Sequence, residues 1–247
     1  MPSLMKSTCN GKTDFDKFHM DMEIKQRIGS GATALMVAAC GGNPECAKLF
    51  IPDLVGLKDD EGTTALMYAA ENGHPECVKL LIPHETGQKD NEEATALTYA
   101  ACNGHLECVE LLIPHEAGQK DSRGVTALMC AIYFGYPECA KLLIDKEAGS
   151  QDNKGATCLM HSAFKGLIEY VKLLMDKEAK LLDKDGKTAL MHAAKNGKTD
   201  CVELLIDKEV GMQDNDGKTA LVYAVENGYS ECVKLLLPHE YSINKIN

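Results

Sequence analysis

The chain has 247 residues, 45% of them hydrophobic and 26% charged, a balance that excludes wholesale disorder. Its 26 basic residues stand against 37 acidic ones, a net charge of −11, so nothing draws the chain as a whole to nucleic acid or to an anionic membrane. No tryptophan and 5% aromatic residues argue against a base-stacking platform as well. No apolar run reaches the ~18 residues of a transmembrane helix. The N-terminal stretch MPSLMKSTCNGKTDFDK lacks the charged-then-apolar pattern of a signal peptide. The expected compartment is the cytoplasm, with the nucleus as the other soluble option.

A period of 31 residues organises everything else. Gly11, Gly42, Gly73, Gly104, Gly135, Gly166, Gly197 and Gly228 keep it without a slip, as does the threonine series from Thr33 to Thr219. Of 11 cysteines, Cys46, Cys77, Cys108, Cys139, Cys201 and Cys232 lie in the same register. They are one repeated feature rather than a disulfide framework, and the odd total points to free thiols.

In chain order, residues 1–27 form the first copy, with Asp16 and His19 where other copies carry Val and Leu. Polar residues at stacking positions suit an N-terminal capping repeat, although a decayed repeat gives the same pattern. Internal copies follow at 28–58, 59–89, 90–120, 121–151, 152–182 and 183–213. In the last of these, Leu190, Ala193 and Ala194 make the i, i+3, i+4 stripe of a short first helix. Thr188 precedes it as a cap, and Asn196-Gly197 stops it. A second, more apolar helix follows, carrying Cys201, Val202, Leu204, Leu205 and Ile206. Elsewhere that helix opens with Pro-Glu, as at Pro75-Glu76 and Pro137-Glu138, which suits the first helical turn. The polar stretch before the next Thr reads as a loop. Residues 214–247 are the last copy and carry no obvious polar cap.

One such unit cannot bury its apolar face alone, but stacked copies share a continuous core. The predicted fold is all-α: a single domain, 1–247, of eight stacked helix-turn-helix repeats in a solenoid.

The motif D-x-x-G-x-T-A-L-M-x-A-A-x-x-G-H-x-E-C-V-x-L-L-I resembles the ankyrin repeat, whose signature includes T-P-L-H-x-A. The TALM/ECVKLLI variant is similar to the ankyrin-only proteins abundant in diplomonad parasites. Two departures matter. The family period is about 33 residues, so the hairpin loops here should be shortened and less strand-like. TALM also stands where the family has TPLH, which predicts the loss of a side-chain tie between helix and loop.

Catalytic and metal chemistry find little footing. Gly29-Ser30-Gly31 lacks the third glycine of a dinucleotide fingerprint and lies in register with the repeat loops. His161 and His192 share one helix position with Tyr68, Tyr99 and Tyr223, and read as interchangeable surface residues. His74-x-x-Cys77 and His105-x-x-Cys108 have ligand-like spacing. Equivalent residues in stacked copies stand about 10 Å apart, too far to share a zinc ion. No enzyme activity, cofactor or metal is expected.

The resemblance implies a groove, lined by first helices and loops, that binds a protein partner. Its variable pair follows the Ala-Ala of each copy. Most such pairs are small or polar, but the fifth and sixth copies place Tyr133, Phe134 and Phe164 there. These aromatics are either interface anchors or space fillers turned inward, Phe134 first among the latter. The predicted partner-binding set is Tyr99, Arg123, Tyr133, Phe134, Lys154, Phe164 and Lys165. Early loops are acidic (Asp59, Asp60, Glu61, Asp90, Glu92, Glu93) and later ones carry Arg123, Lys154, Lys184, Lys187 and Lys218, which would orient a partner. Glu93 replaces a loop glycine, predicting strain or a different loop shape. The expected role is a non-catalytic scaffold or adaptor, monomeric, with no nucleic-acid or membrane partner. The alternative is a structural protein whose copies associate end to end, or as a homodimer, through the uncapped last repeat.

Overall fold

The computed structural model describes residues 27–244, in two compact units. One comprises the chain up to Ser122 together with Thr126–Lys146; the other comprises Arg123–Val125 and the chain from Glu147 onward. Apart from Arg27, the expected capping copy lies outside the described residues.

Among the described residues the fold is an all-α repeat solenoid. The first unit contains α1 (Ala34–Cys40), α2 (Pro44–Leu54), α3 (Ala65–Glu71), α4 (Pro75–Glu85), α5 (Ala96–Asn103), α6 (Leu106–Glu116), α7 (Ala127–Phe134) and α8 (Pro137–Glu147, the last residue excepted). The second contains α9 (Cys158–Lys165), α10 (Ile168–Glu178), α11 (Ala189–Lys195), α12 (Thr199–Glu209), α13 (Ala220–Glu226) and α14 (Ser230–Asn244). Each odd-numbered helix starts 31 residues after the previous one. In the first unit α1, α3, α5 and α7 pack side by side, with α2, α4 and α6 in a second row. In the second unit α9, α11 and α13 form one row and α10, α12 and α14 the other.

The short first helices hold because both ends are tied. Thr33 has extended backbone, and its Oγ1 accepts from the Met36 amide at 3.4 Å. Met36 returns the favour: its sulfur accepts from the Thr33 amide at 3.3 Å. Met67 and Met191 do the same for Thr64 and Thr188. The tie expected to vanish with TALM is therefore made by a thioether, a weak acceptor, in a reciprocal capping box. At the other end Gly104, Gly135 and Gly166 cap α5, α7 and α9 with φ of 73°, 82° and 82°, the left-handed conformation glycine adopts without penalty.

Burial follows the predicted stripes. Leu190, Ala193 and Ala194 are buried in α11, as are Cys201, Val202, Leu205 and Ile206 in α12. All six repeated cysteines are buried; burial pushes the Cys77 and Cys108 thiols up to about 11. They are small hydrophobes rather than reactive thiols. On the last pair, Val222, Val225 and Leu237 are exposed, whereas their counterparts one copy earlier, Met191, Ala194 and Ile206, are buried.

One core feature is polar. Glu85, Glu116, Glu147, Glu178 and Glu209 end their second helices, Glu240 lies at the same 31-residue register inside α14, and all six are buried. Glu85 accepts from the Gly56 amide at 2.8 Å through one oxygen and from the Leu66 amide at 2.7 Å through the other. The first donor lies in the preceding copy's loop, the second in the first turn of the glutamate's own first helix. Glu116, Glu178 and Glu209 repeat this bridge. Each carboxylate thus satisfies a free helix-start amide and ties one copy to the next. Burial raises the Glu85 pKa above its ordinary value, against the pull of those amides.

The loops are short, and no described residue lies in a strand beyond the isolated bridge Ile28–Ala32. Successive loops are joined by single backbone bonds: Asp60 N–H to Ser30 O (3.0 Å) and Asn91 N–H to Glu61 O (3.0 Å) in the first unit, Lys184 N–H to Lys154 O (3.1 Å) in the second. Glu93 adopts φ of 63°, where Gly62 and Gly124 have 81° and 78°. The loop keeps the glycine shape, and a side chain bears the strain. Glu93→Gly is expected to stabilise the protein by ~1 kcal/mol, read as a raised midpoint in urea melts; an unchanged or lowered midpoint would show the position to be unstrained.

Candidate functional site

The surface formed by first helices and loops is built on a repeated clamp. Asp59 opens its loop; its Oδ1 accepts from the Glu61 amide at 3.0 Å and the Thr63 amide at 2.8 Å. Its Oδ2 accepts from the Tyr68 hydroxyl, nine residues on, at 2.7 Å. One carboxylate so fixes the turn and pins it to the helix behind it. Asp90 and Tyr99, Asp152 and His161, Asp183 and His192, and Asp214 and Tyr223 repeat the arrangement. Burial and the adjacent carboxylate push the Tyr68, Tyr99 and Tyr223 hydroxyls upward in pKa.

This corrects the reading of the two histidines. His161 is exposed and both residues are interchangeable with tyrosine as expected, but each is held by a partner: their Nε2 atoms lie 3.0 Å and 2.9 Å from Asp152 and Asp183. Because tyrosine does the same work in other copies, these pairs are loop supports. Burial lowers the His192 pKa, helped by nearby Lys187 and His161 and opposed by Asp183. A group whose folded-state value is depressed lends stability above its unfolded value, about 6.5, and loses it as pH falls through the folded one. His192→Tyr keeps a donor to Asp183 and removes the titration. Urea melts are expected to weaken less for this variant than for wild type as pH falls below ~6.5; parallel losses would remove His192 from the pH response.

The clamped loops present the predicted binding residues differently. Tyr99 is half-buried and committed to Asp90, so it supports the surface rather than projecting from it. Tyr133 and Phe134 end α7 in the first unit and are 65% and 55% exposed. Their rings meet edge to face, centroids 5.1 Å apart. Phe134, the first choice for an inward-turned filler, is therefore outward. It stands where Asn72, Asn103, Asn196 and Asn227 elsewhere donate from Nδ2 to the last turn of the first helix. In the second unit Phe164 is 50% exposed, and Lys165 beside it is exposed. Lys154 and Phe164 are brought together on a cleft of about 670 Å³ between neighbouring copies of that unit. Arg123 is exposed in the same unit, and its carbonyl accepts from the Asn153 amide at 3.0 Å.

The sequence reading missed the buried glutamates, the methionine ties and the tyrosine or histidine clamp. The 31-residue recurrence of Glu85 to Glu240 and the nine-residue Asp-to-ring spacing were the available signals. Among the described residues no cluster of three potential metal ligands occurs, and no helix is long and apolar enough to cross a membrane.

A family model described as ankyrin repeats (three copies) matches residues 4–90, 35–121, 78–154, 114–185 and 159–247. A comparison with curated proteins returned no match.

Proposed function

Because the chain belongs to the ankyrin-repeat family, whose members generally mediate protein–protein interaction, we propose that it is a non-catalytic scaffold or adaptor that docks a protein partner on its first-helix and loop surface. The observation that carries this reading is the exposure of Tyr133, Phe134 and Phe164 where other copies place small or polar side chains. Exposed aromatics on a rigid frame are the usual anchors of an interface. Lys154, Lys165 and Arg123 supply charge in the same unit as Phe164, while Tyr99 contributes in the first unit by holding its loop. Cytoplasmic residence belongs to the same reading.

The test is affinity capture from the native cell's lysate with wild type and with the Tyr133→Ala/Phe164→Ala double variant. A protein retained by wild type and lost by the variant supports the reading. Identical captures would refute it.

A further inference from the structure

We propose that the second unit's cleft receives an acidic peptide segment that lays an apolar side chain on Phe164; this rests on the partner-binding reading above. Arg123, Lys154 and Lys184 occupy neighbouring loops of this unit, linked through Asn153 N–H to Arg123 O at 3.0 Å and Lys184 N–H to Lys154 O at 3.1 Å. The backbone therefore holds cations side by side. The matching tips of the first unit carry Asp60, Glu61 and Glu92, so this sign is not a general property of the repeat.

The cleft's own carboxylates do not cancel that charge. Lys184, Lys187 and Lys195 line it along with Lys154, against Asp183 and Asp185. Asp185 is paired with Lys187 at 2.6 Å. Asp183 accepts from the amides of Asp185 and Lys187 and bonds His192. Lys195 lies over the Tyr223 ring, 5.7 Å from its centroid. Lys154 and Lys184 are exposed, and no side-chain carboxylate of the described residues pairs with either. Adjacent like charges repel, and an anionic segment relieves that repulsion while it is steered in from solution. Phe164 gives the cleft an apolar wall. With tips about 10 Å apart, an extended octapeptide of about 26 Å spans all three loops.

The test is fluorescence anisotropy of the full chain with two labelled octapeptides. One has a central leucine among aspartates and glutamates; the other replaces every acid with lysine. The acidic probe is expected to bind, and to bind more weakly as salt rises. Lys154→Glu with Lys184→Glu, both at exposed positions, is expected to weaken it at least tenfold with the far-UV spectrum unchanged, and to admit the lysine probe. No binding of the acidic probe, equal binding of both probes, or indifference to the charge reversal would overturn the proposal. The two readings separate in capture. If the charge-reversed chain still retains a partner that the Tyr133/Phe164 variant loses, the acidic ligand falls and the docking function stands. If the acidic probe binds in a charge-dependent way while the aromatic variant captures normally, the reverse holds.

Discussion

Glu116→Ala is expected to destabilise the protein by about 3–5 kcal/mol, because it leaves one buried and one part-buried amide donor without a partner. Glu116 is 1% exposed. One oxygen accepts from the Gly87 amide at 2.9 Å, the other from the Leu97 amide at 2.8 Å. Hydrogen bonds to a charged acceptor are worth about 1.5–3 kcal/mol each, and the vacated volume adds a cavity cost. This copy is also the one least able to compensate. Thr98 stands where other copies, the last with Val222 excepted, have Met, and the Thr95 cap makes no side-chain bond to the helix amides; it meets the Thr98 hydroxyl, at 3.4 Å. Glu116→Gln keeps one acceptor oxygen but turns an NH2 toward an amide N–H, so about half the loss is expected. Urea unfolding checks both variants. A Glu116→Ala loss below about 1 kcal/mol would show that water satisfies the two amides.

The double replacement Tyr133→Ala/Phe164→Ala has the larger functional effect. Both side chains are at least half exposed, so their removal leaves the core intact and the melting curve is expected to stay within about 0.5 kcal/mol of wild type. If the two rings anchor the partner, truncating each costs about 2 kcal/mol of binding, which together weaken the complex several-hundred-fold. Calorimetry with the captured partner reads this directly. Lost affinity together with a lowered melting midpoint would reassign the rings to packing.

Repetition explains what could be read from the sequence. A residue type recurring every 31 positions beside an apolar stripe reveals helix pairs, their threonine and glycine ends, and the burial of cysteines such as Cys77 and Cys108. Single-residue chemistry misled where tertiary context overrides it. Glu85 and its equivalents fall next to a polar stretch, and an isolated glutamate is almost always exposed. The amides of Gly56 and Leu66, with the Thr64 side chain, make its burial tolerable, and the two amides lie 29 and 19 residues away in sequence. The TALM motif reads as losing a side-chain tie because methionine replaces the family's histidine, yet a short helix with free amides takes the bond available, here to the Met36 sulfur. Glu93 shows backbone shape prevailing over side-chain preference: the loop-to-loop bond from Ser122 N–H to Glu92 O, at 2.8 Å, holds where glycine was expected. The outward direction of Phe134 was also not legible, since a short helix end leaves a large ring free to turn either way.

Hydrogen exchange on the captured complex tests the docking surface most directly. The account predicts slowed exchange at residues 130–134, at 161–165 and in the loops around Lys154 and Lys184, with the outer faces of α10 and α12 unchanged. Protection confined to those second helices, with the first helices and loops exchanging as in the free protein, would contradict it.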